Sequence, residues 1–195
     1  MRRLVIGIGQ AGIDVIDNIS RDISNSVDTA AIDLDKYALH SSGAQHTILV
    51  RDTGVDVGKS RGLRIDQEVD LNTMEEIESV LEPYDVVYLV GALGGRAGGV
   101  ILPAVAKKAK EMGKIVRGKI ILPFQEEKSK REIAEVYLEE VKPLFTDVDV
   151  YDNHEYMKQS EGEIGIDSLY SLHSIFEEIN RDISREIQRD IAYEG

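Results

Sequence analysis

Short, nearly unbroken apolar runs alternate along this chain with longer stretches in which apolar residues return every three or four positions. These are the marks of strands covered on both faces and of helices that bury one side. Residues 4–8 read as the first strand, and Ile13, Ile16, Ile19 and Ile23 carry a helix up to Ser24. Residues 29–34 and 47–50 read as further strands without polar alternation, so a mainly parallel sheet is expected. Asn72 and Thr73 offer a helix cap, with Glu75 and Glu76 at capping-box spacing, ahead of Ile77, Val80 and Leu81; Pro83 marks that helix's end. Residues 85–90 form the most apolar strand. A helix over 100–112 follows, with Pro103 in its first turns, then a strand over 114–122, a helix over 129–141 and a strand over 148–151 that ends at Asp152, Asn153 and His154.

A last helix spans about 166–193 and carries Ile175, Ile179, Ile183, Ile187 and Ile191 as a narrow stripe on an otherwise charged surface. That stripe reads as more exposed than a core helix, to be covered by a partner or a second copy. The repeated strand, helix, strand order predicts an α/β fold, a Rossmann-like doubly wound, mainly parallel sheet with a long C-terminal helix at its edge, formed as a single domain over residues 1–195. In such a sheet the ligand lies at the carboxyl ends of the strands.

Composition narrows the partners. At 195 residues and 42% hydrophobic, the chain has enough apolar surface for one full core. Its 36 Asp and Glu against 23 Lys and Arg, a formal net charge of −13, oppose docking on nucleic acid or an anionic membrane. Cysteine is absent, which excludes disulfides, thiolate metal sites and a cysteine nucleophile. With Met1, Arg2 and Arg3 leading straight into a strand, no export signal is expected and a cytoplasmic location is. Residues 86–106 hold a single charge, Arg96, over roughly the length of a bilayer crossing. Five glycines and Pro103 in that stretch argue against a membrane span.

Two glycine-rich loops, each after an apolar strand, carry the candidate chemistry. Gly7, Gly9 and Gly12 form a GxGxxG pattern around Gln10 and Ala11, and Gly91, Gly94, Gly95, Gly98 and Gly99 surround Arg96 and Ala97. Glycine lets backbone N–H groups approach phosphate oxygens, and a following helix N-terminus adds partial positive charge, so two such loops can clamp one polyphosphate. The plainer role of the first loop is tight helix–strand packing. Asp33, some ~20 residues on, stands where a dinucleotide fold puts its ribose carboxylate, which keeps an NAD-binding oxidoreductase in play. Arg96 either adds a charged phosphate contact or faces solvent. Gly54, Gly58, Lys59 and Ser60 imitate a phosphate loop with one residue too few, and read as a surface loop. Glu127 and Arg131, four apart on a helix, are either an exposed ion pair or ligand contacts; Asn153 is a turn residue or a reader of a purine edge; Tyr170 is core or a stacking ring. His40, His46, His154 and His173 have no metal-ligand spacing, and neither a metal site nor a catalytic residue is assigned.

These segments, in this order, resemble the tubulin and FtsZ family of GTP-binding cytoskeletal proteins. Gly9, Gln10, Ala11 and Gly12 are similar to the family's first nucleotide loop, and Asp33 with Asp35 to the strand end of its second. Gly94, Gly95, Arg96, Ala97 and Gly98 stand in the place of its glycine-rich signature, with Arg96 for a glycine and Ala97 and Gly99 for two threonines. Pro123, Phe124, Glu127 and Arg131 resemble the ribose-contacting segment, while Asn153 and Tyr170 take base-contacting places; Ser174 falls where the family's helix carries an aspartate that pairs with guanine.

The resemblance implies GTP or GDP as ligand, Mg2+ with the nucleotide near Asp33 or Asp35, and self-association. It also implies binding without efficient hydrolysis by this chain alone, because the family's catalytic acidic loop and second domain follow the long helix. A non-catalytic assembly module, joined through the isoleucine stripe, is the third reading.

Overall fold

The computed structural model describes residues 1–22, 27–51, 69–161 and 168–193; the Gly54 to Ser60 imitation loop lies outside them. Among the described residues are six strands, β1 (Arg3–Ile8), β2 (Asp28–Asp33), β3 (His46–Leu49), β4 (Val86–Ala92), β5 (Ile115–Leu122) and β6 (Asp147–Asp152). They form one sheet in the order β3-β2-β1-β4-β5-β6 with every pairing parallel. The register sets Ile8 beside both Ile32 and Gly91, Ile32 beside Ile48, Gly91 beside Ile120, and Leu122 beside Asp152, so the carboxyl ends of the strands form one rim.

Seven α-helices accompany them among the described residues: α1 (Gly9–Asp22), α2 (Lys36–Ser41), α3 (Leu71–Leu81), α4 (Arg96–Glu111), α5 (Lys128–Val141), α6 (Asn153–Glu161) and α7 (Ser168–Tyr193). The central strands β1 and β4 feed both faces. Leu4, Ile6, Val87 and Leu89 pack under Ile77, Leu81, Ile101, Leu102 and Leu138 of α3, α4 and α5, while Val5, Tyr88 and Val90 pack under Ile16 and Ile19 of α1 and the isoleucines of α7. Burial on both faces is why these strands read as unbroken apolar runs. No helix among the described residues is long and apolar enough to cross a membrane.

Four expectations change. The stripe on α7 is not exposed: Ile175, Ile179, Ile183 and Ile187 are each 2% exposed or less, and no partner is needed to cover them. A helix laid on a flat sheet needs only one row of apolar residues. The flanking charges that made α7 look solvated reach down to the sheet, where Lys119 of β5 bonds Asp149 and Glu186, and Arg117 pairs with Asp190.

The other three concern helix starts. Asp70 caps α3 by accepting from the N–H of Thr73, ahead of the expected Asn72 and Thr73. α4 begins four residues early, with Gly95 as its cap, so Gly98 and Gly99 are helical and Pro103 sits in the helix interior. Finally, β6 runs directly into α6 at Asn153 instead of into a loop.

Candidate functional site

A cavity of about 470 Å³ runs along the strand rim, from Asp33 and Asp35 after β2, across the turns after β1 and β4, to Asn153 after β6 and Phe176 and Asn180 of α7. Its middle is the meeting of two chain reversals. Gly9 holds a φ of 69° and Gly94 one of 93°, conformations that L side chains rarely adopt. A side chain on Gly12 would collide with the Val90 carbonyl, and one on Gly98 with the Ala92 carbonyl, so these two permit helix–strand packing. Gly95 is different: a Cβ added there meets nothing within 4 Å, and the residue lines the cavity. The first helical bond of α4 runs from the Gly99 N–H to the Gly95 carbonyl at 3.0 Å, so the N–H groups of the turn before it precede the intrahelical ladder. With α1 starting at Gly9, two helix N-termini converge on this middle stretch.

Of the residues expected from sequence, Gly9, Gln10, Ala11, Asp33, Gly95, Arg96, Ala97, Gly98, Glu127 and Asn153 line the cavity. Gly12 and Gly94 shape its walls without lining it. Asp33 is 7% exposed, and its Oδ1 accepts from the N–H groups of Leu34 at 2.6 Å and Asp35 at 3.2 Å. Glu127 accepts from Lys130 at 2.8 Å. Asn153 is buried, and its Oδ1 has no hydrogen-bond partner in the protein. Asn153 itself lines the cavity, so a ligand held there would lie beside this residue.

Arg131 is placed elsewhere. It does not line the cavity; its Nη1 and Nη2 donate to the two carboxylate oxygens of Asp152, each at 2.8 Å. Burial alone would lift Asp152, but the guanidinium and the His154 N–H outweigh it and hold the carboxyl below its usual range. The Tyr170 side chain lies outside the described residues, and Ser174 does not line the cavity.

The sequence reading missed Phe176, Asn180 and Asp14, all of which line the cavity. Phe176 is 43% exposed beside the fully covered Ile175, and its ring meets Phe124 edge-on with centroids 5.9 Å apart. Asn180 follows one turn later on α7. A phenylalanine one residue off the isoleucine stripe, with an amide four residues on, was the signal available in the sequence. Asp14 accepts from Gln10 Nε2 at 2.7 Å; partial loss of hydration raises its pKa, Gln10 opposes this and the Asp17 charge adds to it. Among the described residues no cluster of acids, histidines or cysteines is arranged to hold a metal ion by itself.

Residues 2–161 match the model of the Tubulin/FtsZ family, GTPase domain. The chain is 27% identical over 159 residues to the cell division protein FtsZ of Wigglesworthia glossinidia brevipalpis, covering 79% of this chain and 41% of that protein. It is 32% identical over 157 residues to the cell division protein FtsZ 2 of Haloferax volcanii, covering 78% and 38%. Among solved structures, an empty FtsZ dimer from M. jannaschii superposes with a TM-score of 0.77 at 24% identity, covering 94% of this chain and 53% of that one. A CetZ from Methanosaeta thermophila gives 0.74 at 19%, covering 97% and 53%. The chain thus spans about two fifths of the length of these curated relatives and about half of the solved chains. It belongs to the Tubulin/FtsZ family and carries that family's GTPase domain.

Proposed function

We propose that the rim cavity binds a guanine nucleotide, GTP or GDP. The single observation that carries this reading is the polarity of the cavity along the rim. Glycine turns and helix N-termini occupy its middle, and a ring with two side-chain amides, Phe176, Asn180 and Asn153, occupies the β6 end. Phosphates belong on the N-terminal ends of α1 and α4, where N–H groups and helix dipoles oppose their charge. The base then lies against the exposed ring of Phe176, with Asn153, Asn180 and Asp14 at its edges. An ionised Asp14 accepts N–H donors, which favours guanine's N1–H and 2-amino edge over adenine.

This orientation sends the terminal phosphate toward Asp33 and Asp35. Mg2+ accompanying the nucleotide would meet these carboxylates through water, and would supply charge neutralisation at the phosphates. Asp33 already accepts two backbone N–H groups and Asp35 caps α2 through Tyr37 N–H at 2.8 Å. Arg131, committed to Asp152, leaves Glu127 as the ribose-side contact of that pair.

An NAD-binding oxidoreductase shares the strand order and the first glycine turn, but has no use for the ring and amides at the far end. Calorimetry with GTP, GDP, ATP and NAD, each with magnesium, decides between them. Selective binding of GTP and GDP is expected; binding of NAD alone overturns the reading.

A further inference from the structure

Arg131 makes four polar contacts that join three parts of the rim. Besides the bidentate pair with Asp152, its Nη1 donates to the Pro123 carbonyl at 2.8 Å and its Nε to Glu135 at 2.7 Å. The Asp152 Oδ1 also accepts from the His154 N–H at 2.9 Å, which caps the first turn of α6. One guanidinium, with its side chain 12% exposed, thus ties the exit of β5 and the first turns of α5 to the corner between β6 and α6. Asn153 is the residue at that corner, between Asp152 and His154, and it lines the cavity. For Arg131 to reach a ribose it would have to abandon a two-pronged pair and strand the Asp152 carboxylate, 20% exposed, without its cation.

We infer that Arg131 and Asp152 are a positioning pair that acts on the nucleotide only through Asn153, by fixing the angle at which its amide meets the base. The inference rests on the guanine-nucleotide reading of the cavity. It departs from the ribose contact that the family resemblance assigned to Arg131. A planar fork gripping a carboxylate defines orientation as well as distance, which a lysine at the same position does not reproduce.

The test uses the 195-residue chain and its variants Asp152→Asn, Arg131→Lys and Asn153→Ala, alone and combined, with GTP and inorganic tripolyphosphate as calorimetric probes. Asp152→Asn keeps the side chain's shape and the acceptor for the His154 N–H. Asp152→Asn and Arg131→Lys are each expected to weaken GTP roughly tenfold, the effect of a misplaced binding group, and to leave tripolyphosphate affinity unchanged. In the Asn153→Ala background neither should weaken GTP further, because residues acting through one group are not additive. Glu135→Ala, which removes a different Arg131 partner, controls for packing and should leave affinity unchanged. Arg131→Lys weakening tripolyphosphate, or weakening GTP further once Asn153 is gone, would show direct contact and overturn the inference. Failure of the unaltered chain to bind GTP would instead overturn the nucleotide reading, and this inference with it.

Discussion

Gly9 and Ala97, far apart in sequence, face each other across the cavity floor: a Cβ added to Gly9 would stand 2.9 Å from the Ala97 Cβ. The two helix N-termini converge because the turns after β1 and β4 come this close, and only a residue without a side chain fits on the β1 side.

Two glycines in this floor separate folding from binding. Gly9→Ala forces a side chain into a positive φ and against Ala97, and is expected to lower stability by about 1–3 kcal/mol. Gly95→Asp places a carboxylate in open space, so urea unfolding should show little change while GTP binding is lost by charge repulsion. Unchanged GTP affinity in Gly95→Asp would remove the phosphates from this turn.

Phe176→Ala tests the base end. Loss of a stacking face is worth about 1–3 kcal/mol per base, so GTP affinity should fall at least roughly tenfold. Stability should fall by only about 1 kcal/mol, since the ring is 43% exposed and its main protein contact is the edge of Phe124. Comparing affinities for GTP and tripolyphosphate locates the loss: a variant that weakens both equally does not act at the base.

Ile183→Asp addresses the α7 stripe. Ile183 is 0% exposed, and a carboxylate there has no cation facing it within the isoleucine row. Stability should fall by about 4 kcal/mol or more, read as unfolding by circular dichroism. A folded variant whose only change is weaker self-association, seen by light scattering, would return the stripe to a partner-binding role.

Acid titration tests the Arg131 and Asp152 pair independently of ligand. The Asp152 carboxyl has a folded pKa below its ordinary 3.8, so its contribution is complete above that value and is lost as pH falls below it through the folded pKa. Asp152→Asn should have lower stability near neutrality and a shallower decline below about pH 4. Urea midpoints that fall in parallel for both proteins in that range would show the pair contributes nothing to folding.

Periodicity and turn chemistry are local, and they were legible. Among the described residues, the alternation of apolar runs with helical spacing named every strand and five of the helices, and the glycines marked both turns at the cavity floor. Boundaries moved where a side chain some residues away set the end: Asp70 reached forward to cap α3, and Asp152 started α6 by accepting from His154.

What the residues alone determined was therefore the α/β class, the parallel sheet and the glycine turns, because each follows from the conformational preferences of neighbours in the chain. The tertiary structure decided which residues those turns would face. The base end gathers Asp14 of α1, Asn153 of α6 and Phe176 and Asn180 of α7, three helices whose meeting depends on how α7 lies across the sheet. It also decided that Arg131 grips Asp152, and that the isoleucine stripe of a charged helix is buried, with Lys119 of β5 paired to Glu186 at its flank. Burial and charge pairing are set by partners distant in sequence, and no local pattern records them.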